Sequence, residues 1–288
     1  MSSVKEGRIT KPKPKKPRSK TRRVSNKVSV VEQTNALSIE DFIAQYVTPL
    51  TQASPSKNEG ANLSIQVQNQ SQQSQAGATL PLEIYSSATI SASDLEACLD
   101  LIEQTSSEDY AAAASGGWSR TKKRKEMKLP DMKFLILRDV SKPCSDSSGT
   151  DAAAEKRSQV TDRTASSGNS DEVVQASDGG SPNVLGFLSF MVTYEDGKEV
   201  VYCYEIHLSP AARGRGLGRV LMDWMESIGR AVGLEKAMLT VFKSNNVARR
   251  FYERLGYEVD EFSPRPRRLR NGTIKEYGYL ILSKMLRL

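Results

Sequence analysis

Apolar side chains recur at every third or fourth position between residues 217 and 232, which is the spacing of one face of an α-helix. The positions are Leu217, Val220, Leu221, Trp224, Met225, Ile228 and Val232. Strand-like apolar stretches precede this helix at 133–139, 183–193 and 197–209, and another follows it at 236–242. The pattern therefore predicts three strands, a long amphipathic helix and a fourth strand, in that order.

A second stretch with helical spacing covers 245–255, and the pattern predicts further strands near 256–261 and 277–283. The residues Tyr-Glu-Asp-Gly at 194–197 separate two of the strands and are typical of a hairpin turn. A strand, a loop, a helix and a strand in succession predict an α/β core.

Polar tracts interrupt this pattern in three places. Residues 1–25 are basic and contain several prolines, residues at about 69–79 are rich in Gln and Ser, and residues 141–182 are rich in Ser, Asp, Gly and Ala. Low hydrophobicity of this kind predicts disorder. We therefore expect a disordered basic tail at 1–25 and one domain over 26–288 with two low-complexity insertions.

The positive charge of the chain is concentrated in the tail. Residues 1–30 contain eleven Lys and Arg residues and one Glu, whereas the whole chain has a net charge of +7. A basic run of this kind is typical of a nuclear localisation signal or of an arm that makes weak contact with nucleic acid or a nucleosome. It can also serve only to keep the chain in solution.

Composition excludes several classes of protein. The chain has no run of about 18 apolar residues, so we expect no membrane span. Its first 30 residues are too polar for a secretory signal, and we expect an intracellular protein. The three cysteines are far apart and there is a single histidine, so neither a disulfide framework nor a metal site is predicted.

The stretch ARGRGLGR at 212–219 opens the long helix with three glycines and three arginines. Glycine lets the backbone approach a ligand closely, and the N-terminus of a helix attracts phosphate. These residues therefore predict an anion cradle, although a surface turn with solvated arginines has the same composition. The Lys-Ser/Thr pair of a P-loop is absent, and the third glycine comes one residue too early for a dinucleotide fingerprint.

The spacing Arg213-x-x-Gly216-x-Gly218 resembles the signature of the GCN5-related N-acetyltransferases. A second element, NNVARRFYERLGYEV at 245–259, resembles the Asn-x-x-Ala-x-x-x-Tyr-x-x-x-Gly-Tyr/Phe element of the same superfamily. The resemblance implies the fold of that superfamily, an α/β fold with a mixed, mostly antiparallel sheet flanked by helices. It also implies acetyl-CoA as the co-substrate.

Longer stretches, at 202–219 and 238–264, resemble the N-alpha-acetyltransferase D family, which consists of histone-selective N-terminal acetyltransferases. Weaker likeness covers 115–127, 134–137 and 31–42. The resemblance implies transfer of acetyl from acetyl-CoA to the α-amine of core histones that begin Ser-Gly-Arg-Gly. Histone N-terminal tails would then be the partners, and we expect the protein in the nucleus and the cytoplasm.

The resemblance also implies a set of site residues. Glu205, Tyr204 and Tyr252 would be catalytic, with Glu205 as the base that takes a proton from the amine, directly or through a water. Tyr252 would line the cofactor site first and act as an acid second. The family has a β-bulge before the loop, which would let Glu205 and the tyrosines face one substrate.

The cofactor-binding residues implied in the same way are Ile206, His207, Leu208, Arg213, Gly214, Arg215, Gly216, Leu217, Gly218, Arg219, Asn245 and Tyr252. Ile206, His207 and Leu208 would offer backbone groups to the pantetheine arm, and His207 would be a spectator there rather than a base. The substrate-binding residues are Phe134, Thr193, Glu195, Tyr202, Tyr204, Thr240 and Tyr279.

Two positions depart from the family pattern. Thr193 stands where the family tends to have an acid, and Arg138 replaces an aromatic residue of the peptide pocket. An arginine there would repel an Arg-bearing tail unless it points away or pairs with Asp139. Two other interpretations stay open, namely an acetyltransferase for other protein N-termini, lysines or polyamines, and an inactive relative that binds chromatin.

Overall fold

The computed structural model describes residues 28–52, 63–66, 79–112, 117–139 and 184–287. The predicted basic tail and the insertion at 141–182 lie outside these residues, as does nearly all of the tract at about 69–79. The helices are α1 Val30–Asn35, α2 Ile39–Phe42, α3 Thr48–Gln52, α4 Ala92–Ala112, α5 Arg120–Met127, α6 Leu217–Val232 and α7 Asn246–Arg254.

The strands are β1 Leu63–Gln66, β2 Thr79–Ser86, β3 Lys133–Arg138, β4 Val184–Glu195, β5 Lys198–Leu208, β6 Lys236–Phe242, β7 Glu258–Val259, β8 Arg267–Arg268, β9 Ile274–Lys275 and β10 Tyr279–Met285. Eight of them form one sheet in the order β1-β2-β3-β4-β5-β6-β10-β7. Within that sheet only β5 and β6 pair in parallel. The mixed, mostly antiparallel sheet that the resemblance implied is confirmed.

The β4–β5 hairpin turns at Asp196 and Gly197, whose φ angles are 48° and 82°. Two positive φ angles in a two-residue turn match the right-handed twist of the strands, and an Asp-Gly pair favours them. The hairpin predicted from residues 194–197 is therefore confirmed. The crossover from β5 to β6 runs through α6, because parallel neighbours need a long connection.

Two hydrophobic cores cover the two faces of the sheet. Leu135 and Leu137 of β3 face the core that contains α6, whereas Phe134 and Ile136 face the core that contains α4 and α5. This alternation is the side-chain period of a strand. The apolar face predicted for α6 is confirmed, since Leu217, Leu221, Met225 and Ile228 are buried.

Strand β5 carries one extra residue relative to β4. Ser189 pairs with Glu205 and the next residue, Phe190, pairs with Cys203, so Tyr204 has no partner across the strand pair. This is the β-bulge that the resemblance implied, and it lies in the segment that precedes the glycine–arginine stretch.

The sequence pattern did not predict helix α5 or the small β8–β9 hairpin. Helix α5 consists mostly of charged residues, so no apolar period marks it. Among the described helices, none is long and apolar enough to cross a membrane.

Candidate active site

A cleft opens where β5 and β6 separate. Their parallel pairing runs from Val200 opposite Lys236 to Cys203 opposite Leu239 and stops at the bulge. Beyond that point Tyr204–Leu208 and Thr240–Phe242 line the two walls of a cleft of about 1020 Å³. The backbone edge of β5 on this side has no strand partner among the described residues, so its N–H and C=O groups are available to a ligand.

The glycine–arginine loop, residues 212–219, forms one end of the cleft. Gly214 and Gly216 have φ angles of 73° and 78°, a conformation that glycine adopts without strain. The first helical hydrogen bond of α6 goes from the N–H of Val220 to the carbonyl of Gly216. The amides at 217–219 are therefore first-turn donors, which suit a phosphate.

This end of the cleft fits the pyrophosphate of acetyl-CoA. A Cβ at Gly214 or Gly216 would meet no protein atom within 4 Å, so the space beside the loop is open. Arg213 and Arg219 line the cleft here and add positive charge, whereas Arg215 does not line it. The anion cradle predicted from the sequence thus has the right backbone conformation and charge, with two of its three arginines at the cleft.

Helix α7 forms the wall next to the loop. Tyr252 is buried and lines the cleft, and burial raises its pKa well above the ordinary value, reinforced by the nearby Cys203 and Glu205. Its phenol is therefore protonated at neutral pH and is a weaker acid than an ordinary tyrosine. The Asn245 side chain accepts from the N–H of Ala248 at 2.9 Å and donates to Asp109 at 3.1 Å, so it caps α7 and ties it to α4.

A cluster of ionisable side chains lies at the middle of the cleft, formed by Tyr110, Lys123, Glu205 and His207. Glu205 accepts from Lys123 Nζ at 2.5 Å and from the Tyr110 hydroxyl at 2.8 Å through one carboxylate oxygen. Its other oxygen lies 2.7 Å from His207 Nε2. We call this set the carboxylate cluster. It joins β5 to α4 and α5, and all four residues line the cleft.

The partners of Glu205 keep it ionised. Burial alone would raise the pKa of this carboxyl, but the hydrogen bond to His207 and the charge of Lys123 outweigh it and lower the pKa to about 2. In the same way, burial would lower the pKa of Lys123, and the charge of Glu205 raises it instead. The role of Glu205 as a base stays a prediction, but a carboxylate with so low a pKa holds a proton poorly near neutral pH.

The His207 side chain makes two contacts. Besides Glu205, the ring reaches Thr105 of α4, with Nδ1 2.6 Å from the Thr105 hydroxyl oxygen. The prediction that the backbone of His207 binds the pantetheine arm stays a prediction, and its side chain is held between α4 and Glu205. A side chain at this strand position points into the layer between β5 and α4, which the sequence alone does not locate.

The other end of the cleft is aromatic and acidic. Tyr202 and Tyr204 pack with ring centroids 5.4 Å apart, and the Tyr202 hydroxyl lies 2.6 Å from that of Thr240. Burial raises the pKa of Tyr204, and the charges of Glu195 and Glu126 add to that effect. Both acids line the cleft near the tyrosines. We call these residues the acidic mouth.

Most of the predicted site residues line this one cleft. Those that do are Glu195, Tyr202, Tyr204, Glu205, Ile206, His207, Leu208, Arg213, Gly214, Gly216, Leu217, Gly218, Arg219, Thr240, Asn245 and Tyr252. Thr193 lies on the β4–β5 hairpin, and Tyr279 of β10 pairs with Phe242 of β6. Neither Thr193 nor Tyr279 lines the cleft.

The prediction of Phe134 as a substrate contact is wrong. Phe134 is fully buried and packs in the core beneath α4, with β4 between its strand and the cleft. Arg138 does not line the cleft either. Its guanidinium pairs with Asp94 at 2.9 Å and with Glu83, so it adds no positive charge to the acidic mouth.

Sequence reasoning missed the residues that α4 and α5 contribute, above all Thr105, Tyr110, Lys123 and Glu126. One signal was available in the sequence. Leu95, Cys98, Leu99 and Ile102 form one apolar face of a helix, and the same face continues to Thr105, three residues further along. Nothing distinguishes Lys123 from its basic neighbours in the sequence. Among the described residues, no group of three His, Cys, Asp or Glu side chains could hold a metal ion.

Residues 137–257 match the sequence model of the acetyltransferase (GNAT) family. Its members use acetyl-CoA as the acetyl donor, which agrees with the phosphate-binding geometry of the glycine–arginine loop.

Individual relatives are similar over shorter stretches. N-alpha-acetyltransferase 40 of Saccharomyces cerevisiae is 38% identical over 102 residues, which cover 29% of this chain and 36% of that protein. The N-terminal acetyltransferase B complex catalytic subunit naa20 of Schizosaccharomyces pombe is 35% identical over 88 residues, 30% of this chain and 48% of that protein. The chain thus matches about a third to a half of the length of these relatives.

Among solved structures, the ribosomal-protein-S18-alanine N-acetyltransferase from Escherichia coli aligns with 72% of this chain and 95% of its own. The sequence identity is 16% and the TM-score is 0.40.

The carboxylate cluster predicts a specific acid sensitivity. The pKa of Glu205 is about 2 in the folded protein and 4.5 ordinarily, so ionised Glu205 stabilises the fold above pH 4.5. This contribution, about 3 kcal/mol, is lost as the pH falls towards 2. Urea unfolding from pH 5.5 downwards should therefore show a steeper loss of stability in the wild type than in Glu205→Gln.

The matched control for this measurement is Glu126→Gln. Glu126 pairs with the same lysine at 2.9 Å, but its side chain is about one-third exposed. Its variant should keep the wild-type acid dependence, because water screens a partly exposed pair. Equal slopes in the wild type and Glu205→Gln would show that Glu205 is not held ionised by its neighbours.

Proposed function

We propose that this protein is an N-terminal acetyltransferase that transfers acetyl from acetyl-CoA to the α-amine of other proteins. One observation carries the proposal: a single cleft runs from the glycine–arginine loop past the carboxylate cluster to the acidic mouth. One end suits the cofactor, the other suits a cationic chain, and groups that accept and donate protons lie between them.

Acetyl-CoA supplies the acetyl group when bound, and the residues of this chain supply the rest. Arg213, Arg219 and the first-turn amides of α6 would hold the phosphates. The open edge of β5 at 204–208 would hold the pantetheine arm by backbone hydrogen bonds. An α-amine with a pKa near 8 is mostly protonated at neutral pH, so it must lose a proton to a group in the cleft before it reacts.

The finer proposal is a histone substrate that begins Ser-Gly-Arg-Gly. The acidic mouth supports it, because Glu126 and Glu195 line the cleft and carboxylates bind a guanidinium group well. The pairing of Arg138 with Asp94 and Glu83 removes the one basic residue that argued against such a tail. The likeness to two N-terminal acetyltransferases favours an α-amine over a lysine side chain.

We also propose that the basic tail, residues 1–25, directs the protein to the nucleus as well as the cytoplasm and makes a weak contact with nucleic acid or the nucleosome. Its charge carries this proposal. An inactive chromatin-binding relative would have the same tail, but it would not need an intact phosphate cradle.

The first prediction concerns the cofactor. Acetyl-CoA should raise the melting temperature of the wild type, because a ligand at about 100 times its Kd adds about 2.7 kcal/mol. Gly216→Val should abolish the rise, since it strains the loop at φ 78° and fills the space beside it. Differential scanning fluorimetry with and without acetyl-CoA measures both.

Gly272→Val is the matched control. Gly272 has φ 84° and open space around it, but it lies in the exposed β8–β9 hairpin, outside the cleft. Its variant should suffer similar backbone strain and keep the full response to acetyl-CoA. A full response in Gly216→Val would move the cofactor away from this loop.

The second prediction concerns the acceptor. A peptide that begins Ser-Gly-Arg-Gly should be acetylated, and Ser-Gly-Ala-Gly should react with kcat/KM lower by about tenfold, equivalent to about 1.4 kcal/mol. Glu195→Gln should reduce this preference, because it removes a carboxylate from the acidic mouth. Glu235→Gln, on the surface beside Lys198, should retain it.

A third peptide distinguishes acetylation of the α-amine from acetylation of a lysine side chain. It carries the same residues and a lysine but has a blocked N-terminus. We expect no reaction with it, whereas rapid acetylation of that lysine would establish a lysine acetyltransferase and overturn the proposal.

The third prediction concerns the tail. Removal of residues 1–24 should leave turnover of a free peptide within about twofold of the wild type, because a polar terminal segment contributes charge rather than site geometry. The same truncation should reduce nuclear accumulation of a fluorescent fusion. Loss of peptide turnover would show that the tail belongs to the catalytic unit.

A further inference from the structure

The hydroxyl of Thr105 can donate a hydrogen bond to only one of its two neighbours at a time. Its hydroxyl oxygen lies 2.6 Å from the carbonyl of Leu101, one turn back in α4, and 2.6 Å from His207 Nδ1. A hydroxyl has one hydrogen to donate and lone pairs to accept. When that hydrogen points at Leu101, Nδ1 must carry a hydrogen of its own to make the second bond.

The other ring nitrogen has no such freedom. Glu205 is ionised and therefore only accepts, so His207 Nε2 carries a hydrogen and donates it over 2.7 Å. The ring then has two states. It is neutral when Thr105 donates to Nδ1, and it is an imidazolium when Nδ1 donates to Thr105. Rotation of one hydroxyl interconverts the hydrogen-bond patterns without movement of a heavy atom.

We propose that His207 is the proton acceptor of the reaction, with Thr105 as the hydroxyl that passes the proton to it and Glu205 as the residue that orients and stabilises the ring. This inference rests on the proposed function and assigns the proton acceptor within it. The arrangement has the logic of a hydroxyl–imidazole–carboxylate triad, in which the carboxylate fixes the tautomer and stabilises the imidazolium without taking the proton itself.

The local charge favours this assignment. Glu205, the partner of His207, belongs to an ion-pair network with one lysine and a second acid: Lys123 lies within 2.9 Å of both Glu205 and Glu126. With a neutral ring, these groups and His207 have a net charge of −1, and a proton on His207 brings it to zero. Tyr110 of α4 also donates to Glu205, whereas the ring of His207 contacts Thr105 of α4 and stacks on Phe187 of β4, with ring centroids 5.6 Å apart.

The ammonium form of the substrate amine gives one proton to the Thr105 oxygen, directly or through a water, while Thr105 gives its own hydrogen to His207 Nδ1. The amine is left with the lone pair that forms the new N–C bond. The second proton, lost from nitrogen when the amide forms, leaves with the thiol product. His207 returns to the neutral state when it releases its proton to water.

The chain offers a direct test because it contains one histidine. In protein labelled with ¹⁵N-histidine, the ring signals need no assignment, and their titration can be followed without substrate. We expect the neutral ring to be the Nε2–H tautomer, because the carboxylate of Glu205 accepts the hydrogen of Nε2. The midpoint should coincide with the acid limb of kcat for the Ser-Gly-Arg-Gly peptide.

Variants separate the roles. His207→Gln should lower kcat by about 10² or more and remove the acid limb. Thr105→Val should lower kcat by a smaller factor and shift the ¹⁵N resonance of Nδ1, because a methyl group cannot form a hydrogen bond with the ring. Thr105→Ser should restore most of the wild-type kcat and most of the wild-type Nδ1 resonance, because serine keeps the hydroxyl. Ser107→Ala, on the same helix but outside the cleft, should match the wild type. The acetyl-CoA melting shift should persist in every variant, which excludes a defect in folding or cofactor binding.

Two results would overturn the assignment. One is that Thr105→Val and His207→Gln keep the pH dependence of kcat seen in the wild type, which would make Glu205 the base again. The other is a ring that holds the Nδ1–H tautomer throughout the titration. A wild-type protein that acetylates no N-terminal peptide would instead refute the proposed function, and the histidine titration would still report the predicted tautomer.

Discussion

The bulge at Tyr204 is the feature on which the rest of the site depends. Before it, β5 makes regular parallel hydrogen bonds with β6, and after it the two strands diverge. A strand inside a sheet normally has no free backbone groups, because both neighbours bond to them. One extra residue therefore creates a polar backbone edge and a cleft in the middle of an eight-stranded sheet, without the aggregation hazard of an outer edge.

The divergence also explains the buried charges. Glu205 follows the bulge on the face that α4 and α5 cover, so its carboxylate cannot reach bulk water and must be satisfied by side chains. Lys123, Tyr110 and His207 supply three hydrogen bonds from three separate elements. Loss of one partner would leave another charge buried and unpaired, which costs far more than the pair contributes. The same bonds hold both helices against the wall of the cleft.

The long helix α6 links this chemistry to the cofactor end. Its apolar face packs on the sheet opposite α4, and its first turn meets the loop in which Gly214 and Gly216 take left-handed conformations. Because the helix axis is fixed by core packing, the amides that face the phosphate are fixed as well.

The sequence by itself determined the succession of elements from β3 to β6, the hairpin at 194–197, the amphipathic α6 and the glycine-rich loop before it, because each depends on contiguous residues and on local backbone preference. Only the tertiary structure decided what surrounds Glu205. Lys123 is 82 residues from it in the chain, and Thr105 is 102 residues from His207. The same limit explains why Phe134 was wrongly predicted to contact the substrate. The alternation of side chains gives β3 two faces, but it does not reveal that β4 lies between β3 and the cleft. Contacts between distant segments depend on how the whole sheet and its helices pack, and no local pattern records that.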